Sequence, residues 1–247
     1  MKGYREDLAY IHDAGFGDFA RQGGPGILKI FRQQGHCGGT VVDLGCGSGI
    51  WARQLVDAGY RVVGIDRSAA MLVLARRRAP QATFRRGSFL KVRLPRCDAV
   101  TALGEVFNYT FDSANGEAEL SRLFRSVFTV LRPGGVFLFD IAGRRRAPRR
   151  RTQSFTAGAR WAVLVERQAD ARRQTLVRRI TTFRKVGRLY RRTEEVHRLN
   201  LYRSANIKAL LRHAGFRVRL LGGYGALRFA PGLTAFLACK SRTQSGE

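Results

Sequence analysis

Over the first 142 residues, short apolar runs alternate with segments whose apolar positions recur every three or four residues. TVVDL (40–44) is a β-branched run that ends in a glycine-rich turn. IWARQLVDAG follows, with Trp51 and Leu55 four apart and Gly59 where a helix C-terminal glycine belongs. RVVGID (61–66) predicts a second strand, and Ser68 is placed to cap a helix over AAMLVLARRR that Pro80 ends. ATFRRG (82–87) and CDAVTALG (97–104) predict the third and fourth strands. Leu120, Leu123, Phe124, Val127, Phe128 and Leu131 keep the spacing of one helix face until Pro133-Gly134-Gly135. VFLFDI (136–141) is almost wholly apolar, as a parallel strand covered on both faces requires.

Beyond residue 142 the pattern changes. RRRAPRRR (144–151) predicts a basic loop, and RWAVLVER (160–167), TLVRRITTF (175–183) and LYRRTEEVHRLNLY (189–202) predict three strands with short polar joins. Such a run forms an antiparallel meander inserted after the fifth strand. A helix from Ser204, with Ile207, Leu210 and Leu211 on one face and Gly215 closing it, leads to FRVRLL and TAFLACK. No linker is long enough to separate independent domains. One domain over 1–247 is expected: N-terminal lid helices (1–36), a cofactor-binding core (37–142), the antiparallel insertion (143–202), and a C-terminal helix with the last two strands (203–247).

Composition changes this picture in one respect. A chain of 247 residues with 45% hydrophobic content can bury a sizeable core, so disorder is excluded as its general state. The formal charge is +27, of which residues 143–247 carry +21, and arginine outnumbers lysine 39 to 6. Clustered guanidinium groups suit phosphate-rich partners; arginine-rich coding on solvent-exposed positions produces the same count. Cys37, Cys46, Cys97 and Cys239 form no CxxC pair, so no metal site is expected. No apolar run approaches about 20 residues, so the expectation is a cytoplasmic protein without a membrane span.

The chemistry gathers at DLGCGSG (43–49), where three glycines alternate after a carboxylate. Glycine lets the chain take positive φ and lets another group approach the backbone. A strand, a glycine turn and a helix start form a nucleotide site in a doubly wound sheet. Asp66, ending the second strand 23 residues after Asp43, suits ribose hydroxyls. Asp43 itself suits a ligand carrying an ammonium group, which S-adenosylmethionine has alongside its ribose.

VVDLGCGSGIWA, VVGIDRSAAML, FRRGSF, DAVTALGEVFNY and LRPGGVFLFD, in that order, resemble the motif set of class I S-adenosylmethionine-dependent methyltransferases. The likeness covers roughly 40–141; LLRHAGFRVRLLGGYG resembles the end of the small-molecule type. The resemblance implies a doubly wound, Rossmann-like, mostly parallel seven-stranded α/β sheet with the meander as lid. By the same resemblance Asp43, Gly45, Cys46, Gly47 and Gly49 would hold the methionine part, Asp66 the ribose diol and Met71 the adenine, with Arg67 also among the cofactor-binding residues. Ser88-Phe89 stands where the family often has Asp, leaving a hydroxyl and an amide for the adenine amino group. Leu103, Gly104 and Glu105 would line the opposite side.

The acceptor is less legible. Nucleic-acid amino-methyltransferases of this class usually carry (D/N)PP(Y/F) after the fourth strand, and cytosine-C5 enzymes a Pro-Cys nucleophile; LGEVFNY has neither. Asn108 and Tyr109 would lie past that strand end, as substrate contacts or as turn and core residues. His12, in the lid, could be a general base or a structural histidine. Glu195 and His197, two apart on one strand face, could form an oriented base or an exposed polar pair. The expected reaction is in-line methyl transfer to N or O of a small-molecule acceptor by a monomer or homodimer. The alternative is an RNA-directed enzyme or binder that uses the arginine-rich half as a phosphate track, with Trp161, Phe183 and Tyr190 as stacking platforms.

Overall fold

The computed structural model describes residues 3–112, 115–148 and 150–242, so Arg149 of the basic loop lies outside the described residues. Two helices, α1 (Glu6–Gly15) and α2 (Asp18–Gln33), precede β1 (Gly39–Leu44), α3 (Ile50–Asp57), β2 (Tyr60–Asp66), α4 (Ala69–Arg78), β3 (Thr83–Arg86) and β4 (Cys97–Ala102). A 3-10 turn (Val106–Asn108), α5 (Glu117–Val130) and β5 (Leu131–Ala142) complete the core. The insertion is β6 (Thr152–Gly158), β7 (Trp161–Asp170), β8 (Thr175–Val186) and β9 (Leu189–Asn200). The chain closes with α6 (Ser204–His213), β10 (Arg217–Leu221), the short pair β11 (Gly223–Tyr224) and β12 (Leu227–Arg228), and β13 (Leu233–Cys239).

The main sheet has the order β10-β13-β5-β4-β1-β2-β3. It is parallel except for β13, which runs antiparallel to both neighbours. Strand period decides the layers. Val42, Val100, Phe137 and Phe139 point to the face covered by α5 and α6, while Val41, Ala99, Val136 and Leu138 point to the face covered by α2 and α3. Phe107, Phe124, Phe137 and Phe139 form an edge-to-face and tilted ring cluster at the centre of the first layer.

Two features depart from the sequence pattern. The insertion has four strands, because TQSFTAG pairs with β7 as an edge strand exposed along its whole length. It lacks the buried apolar face by which a strand is recognised. Helix α2 runs unbroken through Gly23-Gly24-Pro25-Gly26 in its middle, poor helix formers. Gly26 is required there: a Cβ would sit 2.4 Å from the Tyr224 carbonyl carbon of the β11–β12 hairpin. Ile27 and Phe31 of the same helix are fully buried in the second layer, so α2 is part of the core.

Helix α1 bridges core and insertion. Leu8 and Ile11 pack on Trp161, Val163 and Ile180 of the inserted sheet. Buried Asp7 accepts from Arg184 (3.2 Å) and Arg191 (2.6 Å to Nε). Burial pushes the Asp7 carboxyl up, but these two arginines outweigh it and hold the pKa below the ordinary value. Among the described residues, no helix is long and apolar enough to cross a membrane.

Replacing Phe139 by Ala removes a fully buried ring from the central cluster, and urea unfolding should register a loss of about 3–5 kcal/mol. A loss below about 1 kcal/mol would mean that the layer collapses around the gap.

Candidate active site

The strand order reverses at β1, whose neighbours are β4 on one side and β2 on the other. In open α/β sheets the crevice at such a reversal is the ligand site. Here a cleft of about 1150 Å³, part of it open to solvent, occupies that place.

The glycine loop forms its floor. Gly45, Gly47 and Gly49 all have positive φ (67°, 53° and 76°), which the alternate spacing anticipates. Gly49 leads into α3 and packs on Ala75 behind the lining. A Cβ added at Gly47, Gly87 or Gly104 would meet no protein atom within 4 Å, so these backbones lie bare toward the cleft. Asp43 accepts from the Thr101 hydroxyl (2.8 Å), which in turn accepts from Trp51 Nε1 (3.2 Å). Burial, reinforced by the charge of Asp66, pushes Asp43 up to about 7 despite the Thr101 bond. Asp66 accepts from the Gly47 and Ser68 amides (2.9 and 2.8 Å), and burial raises its pKa as well. Ser68 caps α4 through Met71 N (3.1 Å) and donates to the Tyr4 carbonyl (2.6 Å). Asp43, Gly45, Cys46, Gly47, Asp66, Arg67, Met71, Ser88, Phe89, Leu103 and Gly104 all line the cleft.

Glu105 does not, contrary to the expectation above. Gly104 and Glu105 both take positive φ (86° and 62°), and Asp140 accepts from both amides (3.0 and 2.7 Å). That turn sends the Glu105 carboxylate toward the insertion, where Arg178 Nη2 (2.7 Å) and Arg146 Nε (3.4 Å) hold it. Asp140, which the sequence reading did not single out, holds this turn beside the cleft. It is fully buried, accepts also from Tyr224 (3.1 Å), and burial pushes it up to about 7. Its signal was the single charge within VFLFDI.

The opposite wall is aromatic. Tyr109 accepts from Arg178 Nη1 (3.2 Å), lies 3.1 Å from the Tyr4 hydroxyl, and stacks on Phe111 at 4.9 Å between centroids. His12 lines the same wall, edge-on to Tyr4 at 5.2 Å. Burial holds its pKa down at about 4, and its Nδ1 is buried without a partner among the described residues. Asn108 requires a correction. It is fully buried outside the lining, donates to Ala142 and Asn200 carbonyls and accepts from Ala142 N, so its amide ties the turn after β4 to β5 and β9. His197 bonds Glu195 (3.0 Å) but is 1% exposed and sits behind Tyr4, Tyr109 and Phe111, one ring removed from the cleft.

Fold and cleft together define a Rossmann-like protein with an open cleft at the switch point of its sheet. Residues 41–135 match the family described as "Methyltransferase domain". The chain is 31% identical over 118 residues to a probable S-adenosylmethionine-dependent methyltransferase of Mycolicibacterium smegmatis, covering 47% of this chain and 43% of that protein. It is 26% identical over 224 residues to the dTDP-3-amino-3,6-dideoxy-alpha-D-glucopyranose N,N-dimethyltransferase of Streptomyces fradiae, covering 86% and 83%. The crystal structure of an S-adenosylmethionine-dependent methyltransferase from Clostridium acetobutylicum has the same fold, with a TM-score of 0.81 over 95% of this chain and 98% of that one at 18% identity. The matches span somewhat under half the length of the first of these curated relatives (43%, 47% and 49%). Residues 41–135 carry the methyltransferase-domain match, and the fold is shared with enzymes whose cofactor is S-adenosylmethionine. The residues present fit S-adenosylmethionine: bare backbone faces the cleft, and a carboxylate, buried at Asp43 and partly buried at Asp66, stands near the end of each of the first two strands.

The raised carboxyls have a pH signature. An unfolded chain gives up these protons near pH 4, whereas Asp43 and Asp140 keep theirs to about 7. The folded state therefore binds more protons across that interval and loses stability as pH rises through it. His12 acts the other way, adding stability as pH rises from about 4 to its unfolded value near 6.5. Asp140→Asn should flatten the fall in stability between about pH 5 and about pH 7.5, by up to roughly 1.4 kcal/mol per unit, in urea unfolding at the two pH values. An unchanged slope would place the Asp140 pKa in the ordinary carboxylate range.

Proposed function

We propose that this chain transfers the methyl group of S-adenosylmethionine to an amine nitrogen of a small polar acceptor. The observation that carries the choice of nitrogen is His12, neutral on the cleft wall with a pKa of about 4. A base that weak cannot take the proton of an alcohol, but it can accept a hydrogen bond from an amine N–H and orient the lone pair. The Streptomyces fradiae relative, an amino-sugar N,N-dimethyltransferase by name, supports the same reading.

The cofactor, when bound, supplies a sulfonium methyl open to in-line attack. Asp43 would take its ammonium group and Asp66 its ribose hydroxyls, with Met71 and Phe89 against the adenine. Leu103 and Gly104 would close the side opposite, held by Asp140. Tyr4, Tyr109 and Phe111 would exclude water from the acceptor, and His12 would aim its nitrogen. The insertion's cations favour RNA less than their number implies. Arg184 and Arg191 are engaged with Asp7, and Trp161 is buried beneath α1.

Purified protein, methyl-labelled cofactor and a panel of amino sugars and other small amines test the reading directly. Label should appear in an amine, and His12→Gln should lower turnover by about 100-fold while cofactor binding changes less than about threefold. Label recovered in RNA, or in hydroxyl compounds alone, would overturn it. For the cofactor, calorimetry should show affinity rising with pH up to about 7 as Asp43 ionises. Asp43→Asn should remove that slope and weaken binding by about 10- to 100-fold. An unaltered slope in the variant would move the titration to another group.

A further inference from the structure

The inner face of the inserted sheet carries cations that methyl transfer itself does not use. In the antiparallel register Thr152 faces Arg167, Arg167 faces Arg178, and Arg178 faces His197. Directly opposed residues share a face. That face is turned to the core, since Arg178 reaches Tyr109 at 3.2 Å and Glu105 at 2.7 Å. Arg146, from the turn after β5, reaches the same carboxylate at 3.4 Å. Burial and the charges of Arg178 and Arg146 hold the Arg167 guanidinium below its ordinary pKa. Arg167 donates to the Ser154 hydroxyl at 2.8 Å, and no carboxylate pairs with it among the described residues.

Two guanidinium groups therefore share the Glu105 carboxylate while a third beside them has none, a local excess of positive charge. Arg178 Nε is buried and lacks a hydrogen-bond partner among the described residues. A partly desolvated cationic cluster with an unmet donor is unfavourable unless an anion completes it. Guanidinium forks match phosphate oxygens in geometry. Tyr109 joins this cluster to the cleft, because its hydroxyl contacts Arg178 and lies beside Tyr4 on the cleft wall. An anion here lies on the acceptor side.

We propose that Arg146, Arg167 and Arg178 form a phosphate subsite for the methyl acceptor, gripping a phosphoester or diphosphate while the amine enters the cleft past Tyr109. The assignment of the anion to the acceptor rests on the methyl-transfer reading above. It makes the substrate class a phosphorylated amine, and it gives part of the chain's excess charge a defined use.

Calorimetric titration of the full chain with inorganic pyrophosphate tests the subsite, and the same samples are titrated with S-adenosylmethionine. Saturable binding at one site is expected, weakened at least tenfold in Arg167→Gln. Arg188→Gln removes the same charge from the exposed β8–β9 turn, about 30 Å away along the strands, and should stay within twofold. Glu105→Gln should tighten pyrophosphate severalfold by releasing two guanidinium groups, an effect with the sign opposite to any loss of folding. The proposal is overturned by non-saturable binding, by equal losses in the two arginine variants, or by an oligoribonucleotide whose affinity grows with its length. Failure of pyrophosphate binding with methyl transfer intact removes the subsite alone. Absence of amine methylation with pyrophosphate binding intact removes the acceptor reading alone.

Discussion

The carboxylate of Asp140 accepts the amides of Gly104 and Glu105, and much of the site follows from that clamp. It ties the end of β5 to the turn after β4, on the far side of the switch point from the glycine loop. Two consecutive residues can hold positive φ there because their amides are satisfied by one buried acceptor. The turn leaves Gly104 bare to the cleft and throws Glu105 outward to Arg178. Through Arg178 and Tyr109 the constraint reaches Tyr4 at the head of the lid. Cofactor wall, acceptor wall and insertion are thus joined by one run of polar contacts with few degrees of freedom.

The charge distribution has a related logic. A surplus of +27 would push a compact chain apart if it were spread evenly. Some of the arginines join elements distant in sequence through the few acids, which leaves that net charge unchanged. Asp7 gathers Arg184 and Arg191, Asp13 pairs with Arg78, and Glu195 accepts from the amide of Arg5. The lid helix is held on one side by the core helix α4 and on the other by β8 and β9. Exposed surface pairs contribute little; Asp7 is different, because its buried carboxylate would stand uncompensated without both arginines.

Local structure was legible wherever steric rules act between near neighbours. Ser68 caps α4 as its place before AAMLVLARRR implied, and the three loop glycines take the φ sign that their spacing required. The buried fifth strand declared itself by its apolar run. The edge strand β6 did not, since TQSFTAG faces solvent throughout and carries no period to read. Its place after β4 allowed Asn108 to be a substrate contact or a turn and core residue; its amide is consumed by backbone groups of residues 142 and 200.

The sequence by itself determined the alternation of strands and helices, the glycine loop after β1 and the acids at the ends of β1 and β2. Those depend on backbone sterics, capping and hydrophobic period, all set within a few residues. Tertiary structure alone decided which polar side chains face the cleft. Glu105 meets Arg178 across 73 residues, Asp140 meets Tyr224 across 84, and Arg5 meets Glu195 across 190. Each pairing turns a carboxylate away from solvent or cleft, and at Asp140 burial also raises the pKa. No local pattern encodes such a pairing, because its energy exists only once the layers have packed.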